Sequence, residues 1–233
     1  GTQGDANTLV LGGIGPLTGA AATYGTAVRN GAQLAVDEIN AAGGVNGIKF
    51  ELKFQDDEHD AEKAVNAYNT LKDQIKVLIG TVTSNPCVAV SAKTAADNMF
   101  MITPSGSSAE CIKNDNAFRI CFSDPEQGAK SAQYISENNI ASKVAVIYNS
   151  SDVYSQGIYE TFSAEAQKRN LEIVDAEAFT KDSATDFTVQ LQKIKDSGAV
   201  LIFLPIYYQE AALILTQAIK AGINAKFFGC DGL

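Results

Sequence analysis

The 233-residue chain lacks the features of several large protein classes. It has no unbroken apolar run near twenty residues, which excludes a transmembrane helix within this sequence. It carries 18 Lys and Arg residues against 27 Asp and Glu residues, for a net charge of −9. A nucleic-acid-binding face needs clustered Lys and Arg, and the charges here are scattered. We therefore expect an acidic, solvated surface and no nucleic-acid partner.

Motifs of common enzyme classes are also missing. His59 is the only histidine and no GxSxG sequence occurs, so a Ser–His–Asp hydrolase is not indicated. No GK[ST] loop and no CxxC pair is present, and Pro16 interrupts the glycine pattern that would otherwise start a dinucleotide fingerprint. We interpret the acidic run 56–60 as a solvated helix cap rather than a metal site. We expect no enzymatic activity, no cofactor and no metal.

Strand and helix patterns alternate along the chain, which indicates an α/β fold with parallel sheets. Residues 1–8 are small and polar, and we interpret them as a disordered leader or linker. Apolar spacing predicts a helix over 26–42 that begins after a loop carrying Tyr24. Strands are predicted at 9–13, 49–54, 77–79, 99–102, 117–122, 144–148, 171–179 and 199–204, with 227–228 leading into the C-terminal residues. Predicted inward faces include Val88, Ala92 and Ala95 in the third helix, and Ala212, Leu215 and Ile219 in the last.

The second half of the chain repeats the first. Tyr24 corresponds to Tyr154, each in the loop before the first helix of its half, and Ser105 corresponds to Asp231, each after a fourth strand. A repeat of this length indicates two similar lobes rather than a solenoid. We predict an N-terminal lobe over 1–121 and an incomplete C-terminal lobe over 122–233, joined by the segment 117–122.

Four residues of the first lobe form a candidate anion site: Ser84, Ser105, Gly106 and Ser107. They follow two neighbouring strands, and the carboxyl ends of adjacent parallel strands meet at one edge of a sheet. Hydroxyls and backbone N–H groups at helix starts favour an anion. Because no Lys or Arg lies within these loops, a small carboxylate is a better guest than a phosphate.

The second lobe supplies the opposite charge. Asp231 would accept a cation, and Tyr24, Tyr154 and Tyr207 would wall an aliphatic side chain. A small zwitterion bridging the two lobes would have both its charges satisfied away from water. The pattern predicts an amino-acid clamp that works by hinge closure.

The sequence also resembles a known family. The segments IGPLTGAAATYG, GAQLAVDEINAAGGVNG, IGTVTSN and MITPSGSSAE, followed by FSDPEQG, DVYSQG and FFGCDGL, are similar to the leucine/isoleucine/valine-binding proteins. These are type I periplasmic substrate-binding proteins of branched-chain amino acid ABC transporters. The resemblance covers residues 9–233, and its specificity comes from the order and spacing of these segments.

The resemblance implies a role for each candidate residue. Ser84 and Ser107 take the positions of hydroxyls that bind the ligand carboxylate, and Ser105 that of a backbone donor. Tyr24, Tyr154 and Tyr207 match pocket aromatics of the family. Asp231 stands where the family has an acidic residue, often Glu, that pairs with the α-amino group.

The resemblance also implies a setting for the complete protein. It would be an extracytoplasmic solute-binding protein, in the periplasm or lipid-anchored at the cell surface, that delivers an amino acid to the membrane permease of an ABC importer. We expect a monomer. The alternative from another class is the ligand-sensing ectodomain of a receptor with the same two-lobed fold.

Two departures from the family accompany these matches. A disulfide found in some members falls on positions that are His59 and Thr83 here. The family chain also crosses between its lobes three times, whereas this sequence crosses once. We therefore expect the C-terminal part of the fold to be missing from this chain, which would leave both sheets unfinished and apolar surface exposed.

The four cysteines, Cys87, Cys111, Cys121 and Cys230, permit three full pairings. Cys111 with Cys121 closes the shortest loop and is the candidate disulfide of this sequence. Cys87 could instead pair with either of these two, and buried thiols are the remaining interpretation.

Overall fold

The structure is a computed structural model that describes residues 7–233. Six of the eight residues interpreted as a polar leader lie outside this range, and Thr8 already begins the first strand. The chain forms two compact units that divide between Cys121 and Phe122. Each unit is a parallel sheet with helices, which confirms the predicted α/β fold. Between residues 7 and 233, no helix combines the length and the apolar character that crossing a membrane requires.

Unit 1, the described residues up to Cys121, contains a five-stranded parallel sheet. Its strands lie in the order β2-β1-β3-β4-β5. The strands are β1 Thr8–Gly15, β2 Lys49–Asp56, β3 Val77–Gly80, β4 Phe100–Thr103 and β5 Ala117–Arg119. The helices are α1 Ala22–Ala41, α2 Ala61–Leu71 and α3 Ser84–Ala96, and a short 3-10 segment spans Ala109–Ile112.

The core of unit 1 lies between the sheet and the helices α2 and α3. Tyr68 and Leu71 of α2 and Val90 of α3 are buried against Leu78 and Met101 of the sheet. The helix α1 is largely exposed, and residues on its inner side line an apolar groove with strands β3 and β4 and with the segment after β5. The groove residues are Val28, Gly31, Ala32, Ile79, Ile102, Pro104 and Ile120.

Unit 2, from Phe122 to Leu233, contains a four-stranded parallel sheet in the order β7-β6-β8-β9. The first four strands of unit 1 have the same relative order, as the repeat in the sequence predicts. The strands are β6 Lys143–Asn149, β7 Glu172–Phe179, β8 Leu201–Leu204 and β9 Lys226–Gly229. The helices are α4 Asp124–Glu137, α5 Val153–Lys168, α6 Thr188–Ser197 and α7 Tyr208–Lys220, and a 3-10 turn spans Lys181–Ser183.

Helices cover both faces of the sheet in unit 2. Val144 and Val146 of β6 pack with α4 and α5, and Ala145 and Ile147 of the same strand pack with α6 and α7. A strand buried on both faces reads as a continuous apolar run, which is the pattern of β6 in the sequence.

Two local predictions are wrong, and one helix was missed. The helix α1 begins at Ala22, so Tyr24 lies within its first turn rather than in the preceding loop, and Tyr154 likewise lies within α5. Helix α4 was not predicted. It begins at a capping box in which the Ser123 hydroxyl accepts the Glu126 N–H and the Glu126 carboxylate accepts the Ser123 N–H.

The predicted inward faces of α3 and α7 are also wrong. In α3 the buried side chains include Cys87, Ser91 and Thr94, because the Thr94 hydroxyl donates to the Ser91 carbonyl and can therefore be buried at little cost. In α7 the buried face is shifted by one residue, and Ile219 is 78% exposed. The buried residues of α7 are Ala211, Ile214 and Ala218.

Candidate functional site

The candidate residues lie at the carboxyl ends of the parallel strands. In unit 1 the strand order reverses between β1 and β3, and in unit 2 it reverses between β6 and β8. Ligands of open α/β sheets bind at such switch points. Tyr24 and Ser84 lie just after β1 and β3, and Tyr154 and Tyr207 lie just after β6 and β8.

Hydrogen bonds join the loops after β3 and β4 in unit 1. The buried Ser84 hydroxyl accepts the Ser108 N–H at 3.3 Å, which leaves its own proton to donate. The Ser105 hydroxyl donates to the Val82 carbonyl at 2.7 Å, which leaves its backbone N–H as the group that could serve a ligand. Ser107 is buried beside them. The structure thus brings Ser84, Ser105 and Ser107 together where these two loops meet.

Gly106 has a packing role between these serines. Its N–H donates to the Thr103 hydroxyl at 2.8 Å, and Thr103 in turn donates to the Thr81 carbonyl at 2.6 Å. A Cβ atom at position 106 would lie 2.7 Å from Thr103 Oγ1 and 2.8 Å from Cys87 Sγ, which is closer than real Cβ contacts. Glycine therefore allows the loop to pack closely against Thr103 and Cys87. Its N–H is already hydrogen-bonded to Thr103.

Arg119 is a residue of this site that the sequence analysis missed. Its Nη1 donates to the carbonyls of Ser107 and Ser108, each at 3.1 Å, and its Nε donates to the Cys121 carbonyl. The guanidinium thereby orients the peptide groups of the serine loop and places a positive charge behind it. The signal available in the sequence was the lone Arg in the short strand that follows the loop.

The start of helix α3 is held by a contact with the acidic loop. Thr83 is the residue that precedes the helix, where a hydroxyl often caps the first turn. Its hydroxyl instead lies 2.8 Å from His59 Nδ1. This hydroxyl makes no capping bond to α3 within the described residues. His59 and Thr83 are the two positions that the resemblance relates to a disulfide, and here their side chains are in contact by a hydrogen bond.

The acidic loop itself is only partly solvated. Asp60 caps α2 by accepting the N–H groups of Glu62 and Lys63, as predicted for a helix cap. Asp56 accepts bonds from Leu17 and Thr18; burial acts to raise its pKa, but these bonds outweigh that effect and lower it.

Asp57 differs from its neighbours because it is fully buried. Burial raises the pKa of Asp57 to about 6, even though its Oδ1 accepts the His59 N–H. Its Oδ2 has no hydrogen-bond partner within the described residues. The interpretation of the whole run as solvated is therefore wrong at this position.

In unit 2 the hydroxyl of Tyr154 organises the site. It donates to Asp231 Oδ1 at 2.9 Å and accepts the Gly232 N–H at 3.1 Å. Burial and the nearby Asp231 carboxylate raise the pKa of Tyr154 well above its ordinary value, so the hydroxyl stays a proton donor at neutral pH. Asp231 itself is exposed at the end of β9.

Two further contacts position Tyr154 and the loop that carries Asp231. The rings of Tyr154 and Tyr207 stack with their centroids 4.8 Å apart and 12° between their planes. The Asp231 N–H donates to Gln127 Oε1 at 3.2 Å, so α4 fixes the backbone of the Asp231 loop. Gln127 is a second residue that the sequence analysis missed, because α4 was itself missed.

The cysteines are present as thiols, and the Cys111–Cys121 disulfide that the sequence allows is not formed in this structure. The Cys111 sulfur lies against helix α3, where it is within 3.9 Å of the Ser84 carbonyl oxygen. Cys121 comes after β5, where its carbonyl is bonded to Arg119. The sulfur that neighbours Cys111 at helix α3 is that of Cys87.

These observations define the class of the chain. Two α/β units with the same strand order each place polar loops at the carboxyl ends of their strands, which is the arrangement of ligand-binding open-sheet proteins. Residues 8–233 match the model of a family described as periplasmic binding protein, and the chain belongs to this family. The predicted resemblance is therefore confirmed.

Individual relatives agree with this assignment. "Leu/Ile/Val-binding protein homolog 3" from Brucella melitensis is 34% identical over 228 residues, 97% of this chain and 61% of that protein. The leucine-, isoleucine-, valine-, threonine- and alanine-binding protein of Pseudomonas aeruginosa is 30% identical over 98% of this chain and 61% of its own length. The chain thus spans about 61% of the length of these curated relatives.

A solved structure extends the likeness to three dimensions. The branched-chain amino acid transporter substrate-binding protein LivJ from Streptococcus pneumoniae, in complex with isoleucine, has a TM-score of 0.89 and 33% sequence identity. The match covers 97% of this chain and 64% of that one.

Proposed function

We propose that the complete protein is an extracytoplasmic solute-binding protein that captures a small aliphatic amino acid and delivers it to an ABC importer. It holds the amino acid between its two lobes, which close around the ligand by a hinge motion. It acts without catalysis, as a monomer, with the membrane permease as its partner. The family membership and the names of the relatives support the class of the ligand.

The observation that carries this proposal is the chemical difference between the two candidate sites. The loops of unit 1 present neutral donors, Ser84, Ser107 and the Ser105 N–H, at the start of a helix, where a carboxylate is stabilised. Unit 2 presents the Asp231 carboxylate, steadied by Tyr154, at the equivalent strand end. A zwitterionic α-amino acid requires one site of each kind.

Calorimetric titration of the full-length protein with leucine, isoleucine, valine and alanine tests the proposal. We expect saturable binding of at least one of them, and loss of about tenfold or more in affinity in S84A, because a hydrogen bond to a charged group contributes about 1.5–3 kcal/mol. S91A is the matched control, since Ser91 is a buried serine of the same helix whose hydroxyl accepts a bond from Asn114.

The outcome that would contradict the proposal is a folded full-length protein that binds none of these amino acids. Equal affinities of S84A and the unchanged protein would remove Ser84 from the carboxylate site. Delivery is tested separately by uptake of the radiolabelled amino acid into cells with and without the full-length protein, and uptake that does not depend on the protein would contradict the transport role.

A further inference from the structure

Two buried thiols lie side by side beneath the serine loops of unit 1. Cys87 belongs to the first turns of α3, and Cys111 belongs to the 3-10 segment Ala109–Ile112; both side chains are fully buried. A Cβ atom built at Gly106 would lie 2.8 Å from Cys87 Sγ and 3.2 Å from Cys111 Sγ. Since both sulfur atoms approach one point, they are neighbours, and a side-chain hydrogen bond joins them.

The position of this pair gives it a consequence for the candidate site. Cys87 follows Ser84 by one turn of helix, and Cys111 follows the Ser107 loop in the chain. The Cys111 thiol also donates to the Ser84 carbonyl at 3.9 Å. A covalent bond between the two sulfurs would therefore link the start of α3 to the loop after β4, the two segments that carry the predicted carboxylate donors.

We propose that Cys87 and Cys111 form a disulfide bond in the complete protein, which ties together the two serine loops of unit 1. The geometry favours this pairing over Cys111 with Cys121. This inference takes one premise from the proposed function, which is the extracytoplasmic location of the protein, because disulfides persist in oxidising compartments outside the cytoplasm.

The bond forms by two steps of thiol–disulfide exchange with a small or protein disulfide as the oxidant. The Cys87 thiolate attacks one sulfur of that disulfide and displaces the first thiolate; the Cys111 thiolate then attacks the Cys87 sulfur and displaces the second. The two cysteine thiols are oxidised, the oxidant disulfide is reduced to two thiols, and these take up the two cysteine protons.

Both sulfurs are inaccessible in the folded protein, so the exchange takes place during folding. The test therefore refolds the full-length protein in a mixture of oxidised and reduced glutathione, unfolds it in denaturant in the presence of N-ethylmaleimide so that every free thiol is alkylated, and digests it with trypsin. Cleavage after Lys and Arg places Cys87 in the peptide 77–93, Cys111 in 94–113 and Cys121 in 120–130. Each of these three cysteines is therefore read out separately by mass spectrometry.

We expect peptide 77–93 joined to peptide 94–113 with the loss of two hydrogens, and peptide 120–130 recovered without a link to either. Alkylated, unlinked peptides 77–93 and 94–113 from the folded protein would overturn the proposal. Peptide 94–113 joined to 120–130 would overturn it in favour of the pairing of Cys111 with Cys121. This readout requires no ligand, so it fails or succeeds independently of the proposed function.

A second measurement tests the effect of the bond on the stability of the protein. We expect a reductant to lower the melting temperature of the full-length protein by about 5 °C or more, the size typical of a lost native disulfide in a chain of this kind. The variant C87A/C111A should show no such shift, and the control C121A should behave like the unchanged protein. A shift that persists in C87A/C111A would overturn the assignment of the bond to this pair.

Discussion

The Tyr154 hydroxyl and the Asp231 carboxylate, 77 positions apart in the chain, are joined by a 2.9 Å hydrogen bond. Tyr154 is fixed by its own burial and by its stack on Tyr207. An exposed carboxylate at the end of an edge strand thus acquires a defined position. The bond thereby positions the carboxylate that we propose as the partner of an ammonium group.

Replacing Tyr154 by Phe tests this relationship. We expect Y154F to keep the stack on Tyr207 but to weaken amino-acid binding about five- to tenfold, because one hydrogen bond of about 1 kcal/mol no longer positions Asp231. Calorimetric titration of the full-length variant measures the change. Y159F is the control, since Tyr159 lies in the same helix and stacks on Tyr148. An unchanged affinity in Y154F would mean that the bond is incidental to binding.

Arg119 provides a prediction about the serine loop. Its two bonds to the Ser107 and Ser108 carbonyls are charge-assisted and partly buried, so we expect R119M to lower the free energy of unfolding by about 2–4 kcal/mol and to weaken amino-acid binding. Urea unfolding monitored by circular dichroism measures the first effect. R29M is the control because Arg29 bonds only with the neighbouring Asn30 among the described residues. A loss in R119M no larger than in R29M would show that Arg119 does not hold the loop.

Asp57 predicts a pH dependence of stability. Its pKa in the folded protein is about 6, above the ordinary value of about 3.9. Between these pH values the folded state therefore binds more protons than the unfolded state. The stability contributed by the neutral carboxyl is complete below about pH 4 and is lost as the pH rises through about 6. We expect D57N to be more stable than the unchanged protein at pH 7.5, by up to about 3 kcal/mol, and to lose this advantage near pH 4.

Thermal unfolding of the full-length protein at the two pH values measures the difference. D56N is an adjacent control with the opposite expectation, because Asp56 accepts bonds from Leu17 and Thr18 and its pKa is lowered. Its charged form stabilises the fold above the ordinary pKa, so D56N should be less stable at neutral pH. A D57N variant with the same advantage at both pH values would contradict the account of Asp57.

Much of the architecture was predictable because parallel strands buried on both faces leave continuous apolar runs, as in β6 and β8. The faces of α3 and α7 were not predictable from apolar spacing. In α3 the Thr94 hydroxyl donates to the Ser91 carbonyl and the Ser91 hydroxyl accepts a bond from Asn114, so both side chains can be buried. In α7 the small Ala211 and Ala218 are buried and the larger Ile219 is exposed. Hydrophobicity alone ranks these residues in the wrong order.

Some residues of the candidate site could likewise be predicted from the sequence, and others could not. The repeat predicted that Ser105 and Asp231 follow equivalent strands, and both lie after the fourth strand of their unit. The stack of Tyr154 on Tyr207 was not predicted. Arg119 and Gln127 could not be found in this way, because they act on backbone groups of the site loops from neighbouring elements. Such contacts depend on tertiary packing and leave no pattern of their own in the sequence.

The most direct test of the central claim compares two ligands and two proteins. The full-length protein and D231N are titrated with leucine and with its keto-acid analogue, which keeps the carboxylate and the side chain but lacks the amine. We predict that D231N loses at least tenfold in affinity for leucine while its affinity for the keto acid does not fall, because only leucine presents an ammonium group to Asp231. D196N, a change at an exposed residue of α6, should bind both ligands like the unchanged protein. Equal losses for the two ligands, or no loss for leucine, would contradict the assignment of Asp231 as the partner of the amine.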